Sequence, residues 1–556
     1  MRKLFNKNNL LLMAVIVMMA FLLSGGVNQI YHQDEYRWVV IADETNDVAT
    51  DVQPPMYLFL LNITGRLFGY EQLRILTAFI AILNLLLVYF VSKKTSANKS
   101  IALLAGFLFA FNAYSLIAGL QIDIDGALMP FFVLTSYYAY LKLGDNRKLW
   151  IPVLALSLIG GFLSKLSFII FFGALIVDYY FTYKEEHGFR FKKLLLLAGG
   201  GVVLFGVLAG AFYISNPDRF QNVLTYASGR AFNGVDIASR AYLDLAFKVL
   251  KSFVLLSPLL LLPIFYTLFK PDLRHKYRFW LTYLFFSFIF YTVIFDFSTL
   301  TIEKYFTFMI VPAAIIGADV LYPFFAGLKN KKDYLPFVIS SVAVLVLSCL
   351  ILSLNHDVLP LNPKIAYFQH LKSFNLAFLI PFTGGSGPIG FYFSAAFIFA
   401  FWLLIFLAFI GYFIWYQRRG RMFLAIIVSA GLIYNAFFIT EFLRGKLYGS
   451  VPKIARETVD YVNNAPEIGE KQVITYYDIA PYDLRKFGKY HSRFYTALNR
   501  DYSAKITSFR GYYMIVNFPE VGNDNQYWKL IERCSTKKEF RDKKIRSYVF
   551  DCTKLK

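Results

Sequence analysis

Two adjacent carboxylates, Asp34 and Glu35, follow the first apolar segment of the chain, residues 10–24. A second cluster, residues 53–57, contains two consecutive prolines and an aromatic residue. An ionisable pair beside a membrane boundary is unfavourable unless it faces water, forms ion pairs or takes part in a reaction. Because one of two neighbouring carboxylates can have its pKa raised, such a pair can supply a general base. The alternative is a solvated pair in an ordinary loop.

The composition places these carboxylates in a membrane protein. Of the 556 residues, 57% are hydrophobic and 19% are aromatic, which is too apolar for a soluble globular chain. Repeated apolar stretches of about 17 to 25 residues are long enough to cross about 30 Å of hydrocarbon. The first stretch precedes no clear small-residue cleavage site, so we interpret it as a retained helix and not as a signal peptide.

The formal net charge of +21 is explained mostly by membrane topology. Basic residues cluster at every second boundary between apolar stretches, as the positive-inside rule predicts for cytoplasmic loops. These clusters lie at 93–99, 147–148, 184–193, 270–278, 329–332 and 418–421. The acidic residues 34–51 and 123–125 occupy loops between the basic ones. Topology accounts for the charge better than a nucleic-acid partner does.

Threading the chain with this rule predicts about thirteen membrane spans. The predicted spans are 9–26, 72–92, 101–119, 126–143, 150–163, 167–183, 194–214, 247–269, 279–296, 305–326, 335–354, 394–416 and 423–441. An odd number of spans places the N-terminus in the cytoplasm and the residues after Glu441 outside. The two acidic loops and the C-terminal tail are therefore expected on one extracytoplasmic side.

The tail has a different character, which divides the chain into a membrane domain, residues 1–443, and a small extracytoplasmic α/β domain, residues 444–556. Its pattern predicts helices at 451–463 and 524–534 and strands at 472–477, 512–518 and 546–551. Cys534 and Cys552 both fall in this domain. Because the extracytoplasmic side is oxidising, we expect a disulfide between them.

Four segments carry a resemblance to a known family. They are Asp34-Glu35 with Pro54-Pro55-Met56-Tyr57 and Leu67-Phe68-Gly69 before Arg74; Asp125-Gly126-Ala127-Leu128; Gly161-Phe162-Leu163-Ser164-Lys165; and Lys304-Tyr305 with Pro312. In this order they resemble the polyprenyl-phosphate-sugar glycosyltransferases of the GT-C fold, which include protein O-mannosyltransferases and lipid A aminoarabinose transferases. The resemblance covers the chain up to about residue 330. Gln53 departs from the pattern, since many members have His there.

The resemblance implies an α-helical polytopic membrane protein of GT-C type that transfers a sugar from a polyprenyl or dolichyl monophosphate to a protein, lipid or glycan acceptor. Asp34 is then the predicted general base. The other predicted catalytic residues are Glu35 and Asp125. The predicted ligands of the donor phosphate are Arg74, Lys165, Lys304 and Tyr305. The predicted further substrate contacts are Gln53, Tyr57 and Asp123.

Several alternatives stay open at this point. Asp123 and Asp125 are equally consistent with polar residues that keep a short loop in water, and Lys165 with a side chain that snorkels to the headgroups. A divalent cation bridging Asp34 and Asp125 is less favoured than a site without cofactor or metal. The competing class is a membrane transporter or a flippase for lipid-linked sugars, which tends to carry its ionisable groups at the bilayer midplane. The compact loops favour a prokaryotic plasma membrane.

Overall fold

The structure is a computed structural model of the chain, and most of it can be described. The described residues are 7–32, 34–44, 55–187, 199–200, 203, 206–207, 209–232, 242–294, 303–354, 358, 360, 364–382, 387–469, 471–475, 482–484, 494–496, 509–516 and 531–554.

Helices dominate the described chain, because in lipid a helix satisfies its backbone hydrogen bonds internally. They are α1 (Lys7–Ser24), α2 (Asp34–Glu44), α3 (Met56–Phe68), α4 (Arg74–Ser96), α5 (Lys99–Ala110), α6 (Ala113–Leu120), α7 (Met129–Lys142), α8 (Arg147–Ser164), α9 (Ile169–His187), α10 (Pro217–Phe232), α11 (Tyr242–Leu256), α12 (Pro258–Phe269), α13 (Pro271–Lys276), α14 (Arg278–Ile289), α15 (Ile310–Ala326), α16 (Lys331–Leu354), α17 (Lys364–Lys372), α18 (Ala395–Ile414), α19 (Tyr416–Arg444) and α20 (Val451–Asn464).

Eight helices of the described chain are long and apolar enough to cross a membrane, or up to ten if each of two bent pairs is one span. These ten segments coincide with ten of the predicted spans. At the predicted span 126–143, helix α7 has only 14 residues, and Arg278–Ile294 is likewise a shorter apolar helix. The predicted span 194–214 lies partly outside the described residues. The polytopic fold is confirmed, whereas the number thirteen stays a prediction.

Asn112, at the break of one bent helix pair, links it to the break of the other pair. Helices α5 and α6 meet at 67°, and Asn112 caps α6 by accepting the N–H groups of Tyr114 and Ser115. Helix α11 meets α12 at 105°, after Ser257 in a positive-φ conformation and before Pro258. The Asn112 amide donates to the carbonyl of Leu256 at 2.8 Å. Backbone groups released by a broken helix thus find partners inside the protein, as membrane burial requires.

The first outer segment, residues 25–73, is partly helical where a loop was expected. Its helix α2 begins at Asp34, and α3 follows the Pro-Pro cluster. Helix α3 ends at Gly69, whose φ of +90° suits glycine and whose N–H returns to the carbonyl of Gly65. The Tyr31 hydroxyl donates to the carbonyl of Tyr70 at 2.7 Å and so closes the segment onto itself.

The C-terminal part contains a five-stranded mixed sheet. Its strands are β3 (Val473–Thr475), β4 (Phe494–Thr496), β5 (Tyr512–Val516), β6 (Ser535–Asp542) and β7 (Ile545–Asp551), and a separate hairpin pairs β1 (Leu379–Phe382) with β2 (Phe391–Ser394). The sheet order is β4-β3-β5-β7-β6, with β3 parallel to β4 and β5, and β7 antiparallel to β5 and β6.

We call the described residues after Arg444 the outer domain. Its predicted α/β character is confirmed. The predicted strands at 472–477, 512–518 and 546–551 correspond to β3, β5 and β7, and the predicted helix at 451–463 corresponds to α20. Strand β6 was missed because it is a charged and mostly exposed edge strand without an apolar face. The predicted helix at 524–534 lies mostly outside the described residues. The predicted disulfide between Cys534 and Cys552 is present, with a Cα–Cα distance of 4.7 Å.

The outer domain packs on the first outer segment. The rings of Tyr482 and Tyr31 lie 5.4 Å apart, and the Tyr482 hydroxyl donates to Asp43 Oδ2 at 3.2 Å. Buried residues of α20 and the sheet continue the apolar core of the helical part without interruption. The outer domain and the first outer segment therefore lie on the same side of the helix bundle.

Candidate active site

A lysine connects two carboxylates that are far apart in the sequence. Lys304 lies in the 3-10 turn Glu303–Met309, immediately before α15. Its Nζ lies 2.7 Å from Asp34 Oδ2 and 3.0 Å from Asp123 Oδ2. Lys304 and Asp123 are buried, whereas 49% of the Asp34 side chain is exposed. The first residue of α2 is thus held at the edge of a buried charge cluster.

A second ion pair extends this cluster. Lys165 Nζ pairs with Asp125 Oδ2, and the backbone N–H of Asp125 donates to Asp123 Oδ1 at 3.1 Å. The ring of Tyr305 lies beneath both ammonium groups, 4.8 Å from Lys165 Nζ and 4.9 Å from Lys304 Nζ. We call these residues, Asp34, Asp123, Asp125, Lys165, Lys304 and Tyr305, the Lys304 network.

Local backbone conformation explains how each residue reaches the Lys304 network. Asp123 is extended and caps the π-helical turn Ile124–Leu128 before α7. Gly126 is required in this turn, because a Cβ there would lie 2.5 Å from the carbonyl oxygen of Ala118. Lys165 is extended between α8 and the next helical turn, which directs it away from both helices. The Thr307 hydroxyl donates to the carbonyl of Asp125 at 2.8 Å and ties the Lys304 turn to the Asp125 turn.

Glu35, the neighbour of Asp34, forms a separate and fully buried pair with Arg74. The carboxylate accepts Arg74 Nη2 at 2.5 Å and Arg74 Nε at 3.3 Å. It also accepts the backbone N–H groups of His32 at 3.2 Å and Ile122 at 3.1 Å. Burial raises the pKa of the Glu35 carboxyl, and the Arg74 guanidinium acts in the opposite direction. Gly387 packs directly against this carboxylate, with no room for a Cβ.

The Glu35–Arg74 pair therefore holds the first outer segment against α4 and against the residue before Asp123. Arg74 also donates to the carbonyls of Gln29 and Ile30. Since its donors are used in these bonds and both side chains are fully buried, the arrangement favours a positioning role over the predicted phosphate-binding role of Arg74. Glu35 likewise supports Asp34 and is closed off from solvent.

The remaining predicted site residues are placed as follows. Tyr57 is fully buried on α3, with its ring 5.1 Å from that of Trp38, so it packs α3 against α2. Its hydroxyl has no hydrogen-bond partner among the described residues. Gln53 lies outside the described residues. The structure thus brings Asp34, Asp123, Asp125, Lys165, Lys304 and Tyr305 together, and sets Glu35 and Arg74 beside them as a support.

Two lysines near the Lys304 turn were missed by the sequence analysis. Lys248 and Lys251 lie on α11, which packs against the turn Glu303–Met309. Lys248 is buried, and Lys251 Nζ lies 5.5 Å above the ring of Phe382. Lysines inside an apolar span are expensive and tend to be functional, which is the signal that could have identified them. They are further candidates for contact with an anionic substrate.

The charges of the site define what it can do. Three carboxylates and two ammonium groups alternate in space, and only Asp34 among the carboxylates is substantially exposed. Among the described residues there is no group of three or more His, Cys, Asp or Glu side chains arranged to hold a metal ion. The Lys304 network can accept a proton at Asp34 and stabilise negative charge at its lysines.

Comparisons with known proteins agree with this description of the fold. Residues 52–212 match the family model of dolichyl-phosphate-mannose-protein mannosyltransferases. The fold is similar to apo ArnT from Cupriavidus metallidurans, with a TM-score of 0.52, 13% identity and 98% of each chain covered. ArnT bound to undecaprenyl phosphate gives a TM-score of 0.50 and 15% identity, also with 98% of each chain covered. No curated protein matches the sequence.

The shared architecture, which extends over nearly the whole length of both chains, defines the fold as GT-C. This fold and the match of residues 52–212 agree with the GT-C resemblance that the sequence predicted. The chain is an integral, multi-pass membrane protein.

Proposed function

We propose that this chain transfers a sugar from a polyprenyl or dolichyl monophosphate to a hydroxyl group of a protein, lipid or glycan acceptor, on the extracytoplasmic side of a membrane. The proposal is supported by the match to a dolichyl-phosphate-mannose family and by the fold shared with a protein whose structure holds undecaprenyl phosphate. The position of the Lys304 network at helix ends favours transfer over transport, since transporters place ionisable groups near the midplane.

The observation that carries the proposal is the difference in exposure among the clustered carboxylates. Asp34 is 49% exposed, whereas Asp123 and Asp125 are nearly buried and Glu35 is fully buried. A general base must reach the proton of the acceptor hydroxyl to within hydrogen-bond distance. Of these four carboxylates, Asp34 is the one that a bound acceptor can approach. The ammonium group of Lys304, 2.7 Å from Asp34 Oδ2, orients this carboxylate.

The reaction follows from these positions. The acceptor oxygen forms a bond to the anomeric carbon of the donor sugar while Asp34 takes the hydroxyl proton. The bond between the anomeric carbon and the phosphate oxygen breaks, and its electron pair stays on the phosphate. Lys165 and Lys304 then stabilise the additional negative charge, which develops mainly as the bond breaks. Attack from the side opposite to the phosphate inverts the anomeric configuration.

The donor phosphate is proposed to bind beside Lys165, Lys304 and Tyr305. Lys165 is part-buried, and its ammonium group forms a salt bridge with Asp125. A phosphate bound here contacts the ammonium groups of Lys165 and Lys304. Both groups lie against the Tyr305 ring, so they are less mobile than lysines on an open surface. Lys248 and Lys251 lie on α11, the helix that packs against the Lys304 turn, and add positive charge near the proposed phosphate site. Asp123 and Asp125 keep both network lysines oriented.

The test of this proposal is Asp34→Asn in the purified enzyme, supplied with a polyprenyl-phosphate sugar and its acceptor. The amide keeps the shape of the side chain and removes the base, so we expect transfer to fall by about 10² to 10⁴. Donor binding, measured by equilibrium binding of the radiolabelled lipid, should change little. Asp145→Asn is the matched control, since Asp145 forms exposed pairs with Lys94 and Lys142, away from the Lys304 network.

Transfer close to the wild-type rate in Asp34→Asn would reject Asp34 as the base. Equal losses in Asp34→Asn and in Asp145→Asn would also reject it, because a general loss of charge or folding would then explain both. Movement of the lipid-linked sugar across vesicles without any transfer would instead support the flippase alternative.

A further inference from the structure

A polar pocket lies between the first outer segment and the outer domain. Its volume is about 470 Å³, within the range of small-molecule sites. One wall is formed by residues 28, 29, 31, 71 and 72, and the other by α20 together with Asp483. On α20 the lining residues Arg456, Asp460 and Asn463 follow one another at helical spacing and present one stripe of the helix to the pocket.

The lining of this pocket consists mainly of hydrogen-bond acceptors. The carboxylates of Glu71, Asp460 and Asp483 face a single guanidinium, that of Arg456. Three side-chain oxygens in the lining, Gln29 Oε1, Asn463 Oδ1 and Asp483 Oδ2, are buried without a hydrogen-bond partner within the described part of the chain. A buried acceptor without a partner is unfavourable, so these oxygens are suited to hydroxyl or amino donors of a bound molecule.

The pocket is connected to the Lys304 network through a short stretch of backbone. Tyr31 lines the pocket, and Asp34 follows three residues later at the start of α2. Three residues span at most about 10 Å. The carbonyl of Gln29, a second lining residue, accepts a hydrogen bond from Arg74, which also holds Glu35. The backbone of Asp34 therefore lies within about 10 Å of a residue that lines the pocket.

We propose that this pocket is an acceptor subsite that binds a saccharide. Planar carboxylate, amide and guanidinium groups can form paired hydrogen bonds with neighbouring hydroxyls of a sugar ring. The lining has more carboxylates than guanidinium groups, and this negative charge disfavours a phosphate. The proposal rests on the proposed function, and it names a glycan portion as the part of the acceptor that the outer domain recognises. The outer domain thereby contributes to acceptor choice, while the helical part binds the lipid donor.

The direct test measures binding of free sugars by saturation-transfer difference NMR to the full-length protein in nanodiscs. The probes are a neutral disaccharide, a glucosamine disaccharide and inorganic phosphate. We expect at least one disaccharide to bind and phosphate neither to bind nor to compete. Asn463→Trp fills the pocket and should abolish this binding, and Asp460→Ala should weaken it by about tenfold through loss of a charged hydrogen-bond acceptor.

The matched control is Glu457→Gln, on an exposed face of the same helix, where Glu457 pairs with Lys453. It should bind sugars as the wild type does. In the transfer assay Asn463→Trp should raise the acceptor KM at least tenfold. Thermal unfolding of every variant confirms that the outer domain remains folded, and Asp460→Ala serves if the tryptophan variant does not fold.

The outcomes separate this proposal from the proposed function. No binding of either disaccharide to the wild type would overturn the subsite, as would sugar binding that is unchanged in both Asn463→Trp and Asp460→Ala. Binding of phosphate that Asn463→Trp blocks would overturn it too. Asp34→Asn is expected to bind sugar normally but not to transfer. If Asp34→Asn transfers normally, the proposed base is wrong, while the binding result still decides the pocket.

Discussion

Replacement of Glu35 by Gln provides the sharpest test of how the site is held in place. The Glu35 carboxylate accepts four donors: two from Arg74 and the backbone N–H groups of His32 and Ile122. Glutamine keeps the size of the side chain but turns one of its acceptor oxygens into a donor. At least one of these contacts then becomes donor against donor, and the Arg74 guanidinium is left without its counter-charge in a fully buried position.

The expected magnitude follows from that burial. Removal of one partner of a buried ion pair typically costs about 3–5 kcal/mol of stability, because the other charge stays buried without compensation. Glu35→Gln should therefore clearly lower the unfolding temperature of the purified protein, measured by tryptophan fluorescence or by loss of the monodisperse peak on size-exclusion chromatography after heating. The same variant should lose transfer activity, since Asp34 directly precedes Glu35 in the chain.

A double-mutant cycle separates the pair from its surroundings. Glu35→Gln combined with Arg74→Met removes both charges, and it should be more stable than the sum of the single losses predicts, with a coupling of about 0.5–3 kcal/mol. It should remain below wild type, because the carbonyls of Gln29 and Ile30 lose their donor and the N–H of either His32 or Ile122 loses its acceptor. Strict additivity of the two single losses, or a wild-type unfolding temperature for Glu35→Gln, would refute this reasoning.

Two further predictions concern the outer domain and the topology. Burial raises the pKa of Asp483 to about 6, against the opposing effect of Arg456. Because this folded-state pKa lies above the unfolded one, stability falls as the pH rises from about 4 to 6. Above about pH 7, Asp483→Asn should stabilise the protein by at most about 3 kcal/mol and so raise its unfolding temperature. Near pH 4 the same variant should change the unfolding temperature little. No gain at the higher pH would contradict this prediction. In a Cys349→Ser background, Glu457→Cys should react with an impermeant thiol reagent in intact cells and Asn330→Cys should not, whereas the opposite pattern would invert the topology.

Much of the fold could be predicted because its signals are local. Apolar stretches long enough to cross a bilayer indicate helices whatever their partners are, so ten described segments coincide with predicted spans. Alternating apolar and aromatic residues indicated β3, β5 and β7. The pairing of Cys534 with Cys552 was predictable because both cysteines lie in the C-terminal domain, which the predicted topology places on an oxidising side. The edge strand β6 escaped, since an exposed charged strand carries no burial pattern.

The candidate site was predicted as a set of residues but not as an arrangement. The motif segments identified Asp34, Glu35, Asp125, Lys165 and Lys304, which lie in or beside one cluster in the structure. They assigned the base to Asp34, but they did not show that Glu35 is fully buried against Arg74. The lysines of α11 were also missed, because nothing in a single apolar helix reports which turn it packs against.

The sequence by itself determined the class of protein, the membrane helices and the residues that carry charge into the site. Only the tertiary structure decided that Glu35 is buried against Arg74 while Asp34 stays exposed beside Lys304. Neighbours in a helix point about 100° apart, so one can face the core and the other the substrate. Lys304 is 270 residues from Asp34 and 181 from Asp123, and such distant contacts arise only when the packed helices bring their ends together.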